Sequence, residues 1–306
     1  MLLTSFVLSA ALAAAPAKPK TAKPAPTPVP TAASEKGSAV ARPAGGDVIW
    51  ARTWDEAVAS AKKMGDGRIL IEFTDSRCGD CLRLESLVIP STSFFAMTRD
   101  KVPVQIDRTT EEGKRLAQRF GITALPAWVI TTPDLVLCGI QMGSTNQSGF
   151  FSTFAHTEDS WAAYKKKLAD EEKAPNEDLA FDIAKETFKR GGDVQAEPRF
   201  RKLASTASKQ TLREQSLAYL ASIELDAGRI DDAARDLDVL LSSAQDPALK
   251  EKAELRRADV DIARGRQDLA ARRLSAFKKL HPSSPLVKDV DAILAALKQR
   301  GFTAED

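Results

Sequence analysis

Cysteine and histidine are scarce in this chain, which has three cysteines and two histidines among 306 residues. So few cysteines cannot build the network of disulfides that holds many small secreted scaffolds together. Neither histidine has the sequence neighbours that a histidine-dependent hydrolase or a metal site requires. The chain also lacks a glycine-rich phosphate loop and a dinucleotide-binding fingerprint. We therefore expect no metal and no bound cofactor.

An excess of charge of one sign is also lacking, because 44 basic residues nearly balance 42 acidic residues and leave a formal net charge of +2. This balance gives no reason to expect a nucleic-acid partner. Charged residues make up 28% of the chain, as in an ordinary water-soluble protein, and the length allows two domains and a tether.

Two of the three cysteines stand close together, at Cys78 and Cys81, with Gly79 and Asp80 between them. An apolar run over 68–73 precedes the pair and predicts a buried strand, and a helical pattern follows. Two sulfurs at this spacing can close a small disulfide ring, while the amides and dipole of a helix start stabilise a thiolate on the first cysteine. The pattern predicts thiol chemistry, with Cys78 as nucleophile and Cys81 as resolving thiol.

An acid, Glu72, stands inside this predicted strand, six residues before Cys78. Burial would raise the pKa of its carboxyl and allow it to take a proton from Cys81 during thiol exchange. The alternative is an acid on an edge strand that faces water.

A proline, Pro126, stands directly before a second apolar strand pattern over 127–131, at the end of the stretch Gly-Ile-Thr-Ala-Leu-Pro. Proline has no N–H to give to a strand ladder, so this position needs a special cause. A cis peptide bond at the start of the strand is one such cause.

The predicted elements follow one another in a recognisable order. A helix with a capping box from Thr53 to Glu56 comes first, followed by the strand, the cysteine helix, a strand over 102–107, a helix over 110–120, strands over 127–131 and 135–141, and a last helix. Together with the cysteine pair and Pro126, this order resembles the thioredoxin fold over residues 47–170. That resemblance implies an α/β fold with a central mixed sheet flanked by helices.

The resemblance also implies roles for individual residues. Cys78 and Cys81 would be the redox pair, Pro126 would be the cis proline that shapes the substrate groove, and Glu72 would be the buried acid that relays a proton. The stretch 73–85 is similar to a bacterial envelope group of thioredoxin-like proteins with a long helix after the cysteines. The resemblance therefore implies a thiol-disulfide oxidoreductase that forms mixed disulfides with a protein substrate or redox partner.

Two residues that flank or separate the cysteines depart from the usual thioredoxin pattern. Arg77 replaces the common tryptophan before the first cysteine, and Asp80 stands where proline, lysine or tryptophan is common. Arg77 would favour a thiolate on Cys78 and Asp80 would disfavour it, so the sequence leaves open whether the pair reduces, oxidises or isomerises disulfides. The third cysteine, Cys138, lies in an apolar strand pattern and is expected to be a small buried hydrophobe.

Two other interpretations of the cysteine pair stay open. Cys-x-x-Cys is half of many structural zinc sites, but Cys138, His156 and His281 show no paired ligand spacing that would complete one. The second interpretation is a static disulfide in a domain that has kept its fold without turnover, since a fold alone does not establish activity. The protein would then be a redox-inactive envelope scaffold that binds proteins.

The first 46 residues have a different composition from the rest. An apolar core over 2–14 and a small-residue end over 13–15 predict a secretory signal peptide over 1–17, although no lysine or arginine precedes the core. Residues 18–46 are rich in Ala, Pro and Lys without apolar periodicity, which predicts a disordered tether. We expect an exported protein, periplasmic or associated with the cell envelope, without a stable membrane span after signal cleavage.

After about residue 170 the sequence repeats itself with a period of 37 residues. The matching positions include Ala184, Ala221 and Ala258, then Gly191, Gly228 and Gly265, then Ala196, Ala233 and Ala270, and then Phe200, Leu237 and Leu274. Small residues on a first helix, glycine at the turn, and alanine followed by a large apolar residue on a second helix predict helical hairpins. They resemble slightly long tetratricopeptide repeats over 175–299, with 285–299 as a terminal capping helix. Such arrays bind proteins, so we expect a protein partner there; a rigid support or a dimer surface is the alternative.

Overall fold

A computed structural model describes residues 48–303, which form two compact units that divide between Ala196 and Glu197. The predicted signal peptide over 1–17 and tether over 18–46 lie outside the described residues. The predicted domain limits, 47–170 and 175–299, stay a prediction. No helix of residues 48–303 is both long enough and apolar enough to cross a membrane.

The first unit, 48–196, alternates strands and helices. Its elements are α1 (Trp54–Lys63), β1 (Arg68–Thr74), α2 (Gly79–Val88), α3 (Thr92–Met97), β2 (Lys101–Asp107), α4 (Glu111–Arg119), β3 (Ala127–Thr131), β4 (Leu137–Met142), α5 (Gln147–Lys173), α6 (Glu177–Lys189) and the start of α7 (Asp193–Thr206). The predicted fold class, a mixed sheet flanked by helices followed by a helical region, is confirmed.

The four strands form one sheet in the order β2-β1-β3-β4. β1 runs parallel to β2 and antiparallel to β3, and β3 runs antiparallel to β4. β1 therefore lies inside the sheet, with Glu72 directly between Gln105 of β2 and Trp128 of β3. This register decides which side chains surround Glu72.

The two faces of the sheet bury different helices because side chains alternate along each strand. Ile69, Ile71 and Phe73 of β1 pack on one face with α1 and α4. Leu70 lies on the other face, where Trp128 and Ile130 of β3 meet apolar residues of α2, α3, α5 and α6. Glu72 shares the alternation of Leu70 and so lies on the α2 side of the sheet.

Side-chain caps fix where several helices begin. Thr53 accepts a hydrogen bond from the Glu56 N–H at 3.2 Å, as the capping box predicts. The Glu56 carboxylate accepts in turn from the N–H of Arg52 at 2.9 Å, one residue before the cap. Ser91 caps α3, a helix of six residues that the sequence analysis did not predict.

The strand predicted over 135–141 begins two residues later, at Leu137. Leu135 has a φ of 63°, a left-handed conformation that a strand cannot contain, and its N–H bonds the Thr132 carbonyl at 3.0 Å in a turn. The apolar pattern at this position is therefore part turn and part strand.

The outer edge of β4 is covered by the end of α6. The N–H of Leu137 donates to the carbonyl of Arg190 at 2.8 Å, and the Arg190 guanidinium donates back to the Leu137 carbonyl at 3.1 Å. The hydroxyls of Tyr164 and Thr187 share a buried hydrogen bond at 2.7 Å, which joins α5 to α6. Helix α6 thus belongs to the core of the first unit.

The second unit, 197–303, is helical throughout. It contains the rest of α7, then α8 (Gln210–Asp226), α9 (Ile230–Ser243), α10 (Pro247–Ala263), α11 (Gln267–Leu280) and α12 (Val287–Gln299). Helices α8 and α10 each have 17 residues, and α7, α9 and α11 each have 14, with starts 37 residues apart in each set. Gly191, Gly228 and Gly265, at the turns, all have positive φ, which glycine adopts without strain.

Two buried acids of the second unit, Glu224 and Asp261, are paired with arginines. The Asp261 carboxylate on α10 has almost no exposure and accepts from Arg266 at 2.8 Å and from Arg273 at 3.0 Å. Glu224 stands 37 positions earlier, is fully buried, and pairs with Arg201. Arg201, Arg266 and Arg273 therefore neutralise acids at two equivalent positions of the repeat pattern.

Candidate active site

Cys78 and Cys81 form a disulfide with an S–S distance of 2.05 Å at the start of α2. Cys78 caps the helix, and the backbone N–H of Cys81 donates to its Sγ at 3.1 Å. Cys78 is partly exposed, whereas Cys81 is 1% exposed. An incoming thiolate can therefore reach Cys78, and the helix amide stabilises negative charge on that sulfur.

Pro126 lies at the start of β3, and its peptide bond with Leu125 is cis. The proline is buried, and its carbonyl accepts from the N–H of Gly143, in the loop between β4 and α5, at 2.8 Å. This bond ties the β4–α5 loop to the residue that was predicted to shape the groove.

Glu72 is 1% exposed on an inner strand, so it is not the edge-strand acid facing water that the sequence left open. Its Oε2 accepts from the Gln105 amide at 3.1 Å. Its Oε1 is buried and, among the described residues, receives no hydrogen bond. A carboxylate so poorly solvated is costly, which favours the protonated acid.

Burial, reinforced by the negative charge of Glu85, raises the pKa of Glu72 to about 9, while the Gln105 hydrogen bond acts in the opposite direction. A second negative charge beside Glu85 is unfavourable, which adds to the effect of burial and favours a proton on Glu72. Glu72 is therefore a neutral acid at pH 7 in the oxidised protein.

Glu85 was not predicted from the sequence. It lies on α2 four residues after Cys81, and residues at that spacing share a helix face. The signal was therefore present, but only the burial and register of Glu72 show that this helix face meets it.

Arg77 lies close to an acidic residue, Asp75, which partly offsets its positive charge. The guanidinium is 86% exposed and lies 3.6 Å from the Asp75 carboxylate, which also accepts from the backbone N–H of Arg77 at 3.0 Å. Its support for a Cys78 thiolate is accordingly weaker than the sequence alone implies.

Asp80 is exposed beside Gly79, and its carboxylate accepts from the Ser144 hydroxyl at 2.7 Å. This hydrogen bond, aided by Arg83 at 3.5 Å, lowers the pKa of Asp80. Asp80 therefore stays negative in the first turn of the cysteine helix and joins that turn to the β4–α5 loop.

Cys138 is 3% exposed on β4. Burial raises the pKa of its thiol to about 12, so it carries no thiolate at neutral pH. Within residues 48–303, no three His, Cys, Asp or Glu side chains are grouped as metal ligands.

Comparison with known proteins finds similarity to solved structures. No protein-family model and no curated protein match the sequence. The chain is similar to a thioredoxin from Thermus thermophilus, with 20% identity and a TM-score of 0.35, over 38% of this chain and 92% of that one. It is also similar to a DsbH oxidoreductase, with 17% identity and a TM-score of 0.32, over 40% of this chain and 94% of that one. By its own strand order, helix-start disulfide and cis proline, the first unit has a thioredoxin-like fold.

Proposed function

We propose that this protein is a thiol-disulfide oxidoreductase that acts on protein thiols and disulfides through Cys78 and Cys81. One arrangement carries the proposal: a disulfide with one reachable and one buried sulfur, on the helix face that meets a buried, protonated Glu72. A static disulfide needs neither the difference in exposure nor the neutral acid.

Reduction of the pair proceeds by exchange at Cys78. A thiolate attacks Cys78 Sγ and forms a mixed disulfide, while the Cys78–Cys81 bond breaks and its electron pair leaves on Cys81 Sγ. The Glu72 carboxyl gives its proton to that sulfur, so Cys81 becomes a thiol and Glu72 a carboxylate. A second thiolate then attacks the partner sulfur and releases Cys78 as a thiolate.

The reverse reaction reduces a substrate disulfide. The Cys78 thiolate attacks the substrate, Glu72 takes the proton from Cys81, and the Cys81 thiolate closes the enzyme disulfide as the substrate thiolate leaves. A carboxyl with a pKa of about 9 is well matched to a thiol, whose ordinary pKa is about 8.5, so proton transfer has a small driving force in either direction.

The surroundings of the pair support a polypeptide substrate. Leu82, next to Cys81, is 65% exposed, and Met142, next to the loop bonded to Pro126, is 42% exposed. Exposed apolar side chains beside a reactive sulfur favour a protein segment over a small polar thiol.

Redox titration of the mature protein tests the proposal. The protein is equilibrated in graded dithiothreitol buffers and alkylated, and mass spectrometry then shows how many cysteines were reduced. Buried Cys138 serves as internal control. We expect a reversible two-electron transition within the range of thioredoxin-like proteins. A pair that resists all but far stronger reductants would instead favour the redox-inactive scaffold.

A trapping experiment asks whether protein substrates exist in cells. In Cys81→Ser the mixed disulfide on Cys78 cannot be resolved, so partner proteins should accumulate as adducts that reductant releases. Cys78→Ser/Cys81→Ser is the matched control, because it keeps both side-chain sizes and can form no adduct at this site. Absence of adducts in Cys81→Ser would count against turnover on proteins.

We also propose export to the periplasm or cell envelope, supported by the apolar and small-residue pattern over 1–17. The test is the N-terminal residue of the protein recovered from an envelope fraction: a start near residue 18 is expected, and recovery of the intact chain in the cytoplasm would refute export.

The helical repeats are proposed to choose the protein partner, as tetratricopeptide-like arrays do. Support comes from the helix starts of α7, α9 and α11, which recur every 37 residues. If deletion of 207–299 left the set of trapped adducts unchanged, the repeats would not select the partner.

A further inference from the structure

Gln105 is an exposed residue in β2, directly opposite Glu72 in the parallel β1–β2 register. Its amide Nε2 donates to Glu72 Oε2 at 3.1 Å. In a neutral carboxyl the carbonyl oxygen is the better acceptor, so an N–H donor at Oε2 favours the proton of Glu72 on Oε1. The amide thereby favours Oε1 as the oxygen that gives up the proton.

The other groups that face Glu72 supply no positive charge. On the opposite strand stands Trp128, whose indole can only donate a hydrogen bond and is uncharged. From α2 comes Glu85, which is an acid. Among the described residues that act on Glu72, the hydrogen-bond donor is thus a neutral amide and the charged neighbour is negative.

We propose that Gln105 is a positioning residue for the proton relay: its amide donates to Glu72 Oε2 and so directs the transferable proton to Oε1, and, being neutral, it stabilises the Glu72 carboxylate less than a cation at this position would. A lysine at this position would replace the neutral donor by a cation and favour the ionised form of Glu72. The inference rests on the proposed function for its role in turnover, but the contact itself can be tested without turnover.

The test compares Gln105→Lys and Gln105→Leu in the full oxidised chain. Because the residue is exposed, both variants should keep the fold. The Glu72 carboxyl is titrated by carbon NMR with labelled glutamate, and its resonance is identified by its loss in Glu72→Gln. An ammonium group near the carboxylate should lower the pKa of Glu72 by about one to three pH units. Leucine removes the donor and should raise the pKa above the wild-type value.

Gln118, an exposed glutamine on α4, provides the matched control. Gln118→Lys and Gln118→Leu add and remove the same groups on another element and should leave the Glu72 titration unchanged. Opposite shifts confined to the two Gln105 variants support the inference. If the pKa of Glu72 shifts in the same direction in both variants, or does not shift, Gln105 has no part in positioning the proton.

Kinetics then separate this inference from the proposed function. The rate at which the Cys78–Cys81 disulfide is reduced should fall as pH rises and Glu72 loses its proton. In Gln105→Lys this fall should occur at a lower pH than in wild type, because the pKa of Glu72 is lower. If wild type reduces and re-forms the disulfide normally but the pH–rate profile of Gln105→Lys is not shifted, the positioning role is wrong. If the cysteine pair of wild type never cycles, the proposed function is wrong and the titration result still stands.

Discussion

Replacing Glu72 by glutamine should stabilise the oxidised protein at neutral pH, by an amount that grows with pH. The pKa of this carboxyl is about 9 in the folded protein against 4.5 for an unperturbed glutamate. Between these values the folded protein holds a proton that the unfolded chain has released, so the free energy of unfolding falls as pH rises. The slope is about 1.4 kcal/mol per pH unit, which gives a penalty of about 3 kcal/mol at pH 7.

Glutamine keeps the size and neutrality of the protonated acid and does not titrate. The difference in unfolding free energy between Glu72→Gln and wild type should therefore be small near pH 4.5 and reach about 3 kcal/mol near pH 7. Any loss from the altered hydrogen bonding shifts the whole curve without changing its slope.

Urea denaturation followed by tryptophan fluorescence measures this difference. All four tryptophans, Trp50, Trp54, Trp128 and Trp161, lie in the first unit, so the signal reports on the unit that contains Glu72. Glu112→Gln, at an exposed position on α4, is the matched control and should give a difference that does not change with pH. A flat curve for Glu72→Gln between pH 5 and 8 would show that Glu72 is ionised in the folded protein and refute the reasoning.

Three further outcomes follow from the geometry. After reduction, iodoacetamide should modify Cys78 at least about tenfold faster than Cys81, because Cys81 is 1% exposed; mass analysis of quenched samples measures both rates, and equal rates would contradict the assigned roles. Asp80→Asn removes a negative charge from the first turn of α2 and should lower the pKa of the Cys78 thiol by up to about one pH unit, read from thiolate absorbance; no change would mean that this charge is too far away or too well screened. Asp261→Ala should lower the free energy of unfolding of the helical unit by about 2 kcal/mol, less than for a fully buried pair because both arginines are partly exposed. Thermal unfolding followed by circular dichroism, with Asp261→Asn as comparison, measures this loss. An unchanged unfolding temperature would contradict the prediction.

The sequence was sufficient to predict features that depend on local order. The cysteine pair needs only a strand before it and a helix after it, and the period of the repeats is visible because each helix buries the same face. Glu72 could be singled out because an acid within an apolar strand must either reach water or change its pKa. These signals are contained within a few turns or strands of the chain.

Features that depend on register could not be read in the same way. Gln105 and Glu85 acquire meaning only because β2 lies parallel to β1 and α2 covers that face of the sheet. The turn at Leu135 was hidden because its side chain is apolar, and apolar patterns report burial before they report backbone conformation. Long-range pairings of this kind are absent from any single stretch of sequence.

The cover that α6 provides for β4 affects how the protein avoids aggregation. A bare edge strand offers unpaired N–H and carbonyl groups to any other chain, and Arg190 occupies those of Leu137. At the opposite edge, Ala51 bridges to β2 and donates to the carbonyl of Pro103, a residue with no N–H of its own to offer. A chain that ends at residue 170 would keep every residue of the redox site but would lose Arg190 and its hydrogen bonds to the edge of β4. It would therefore be prone to pair edge to edge with its own copies, so the helix that opens the repeat pattern also protects the sheet from self-association.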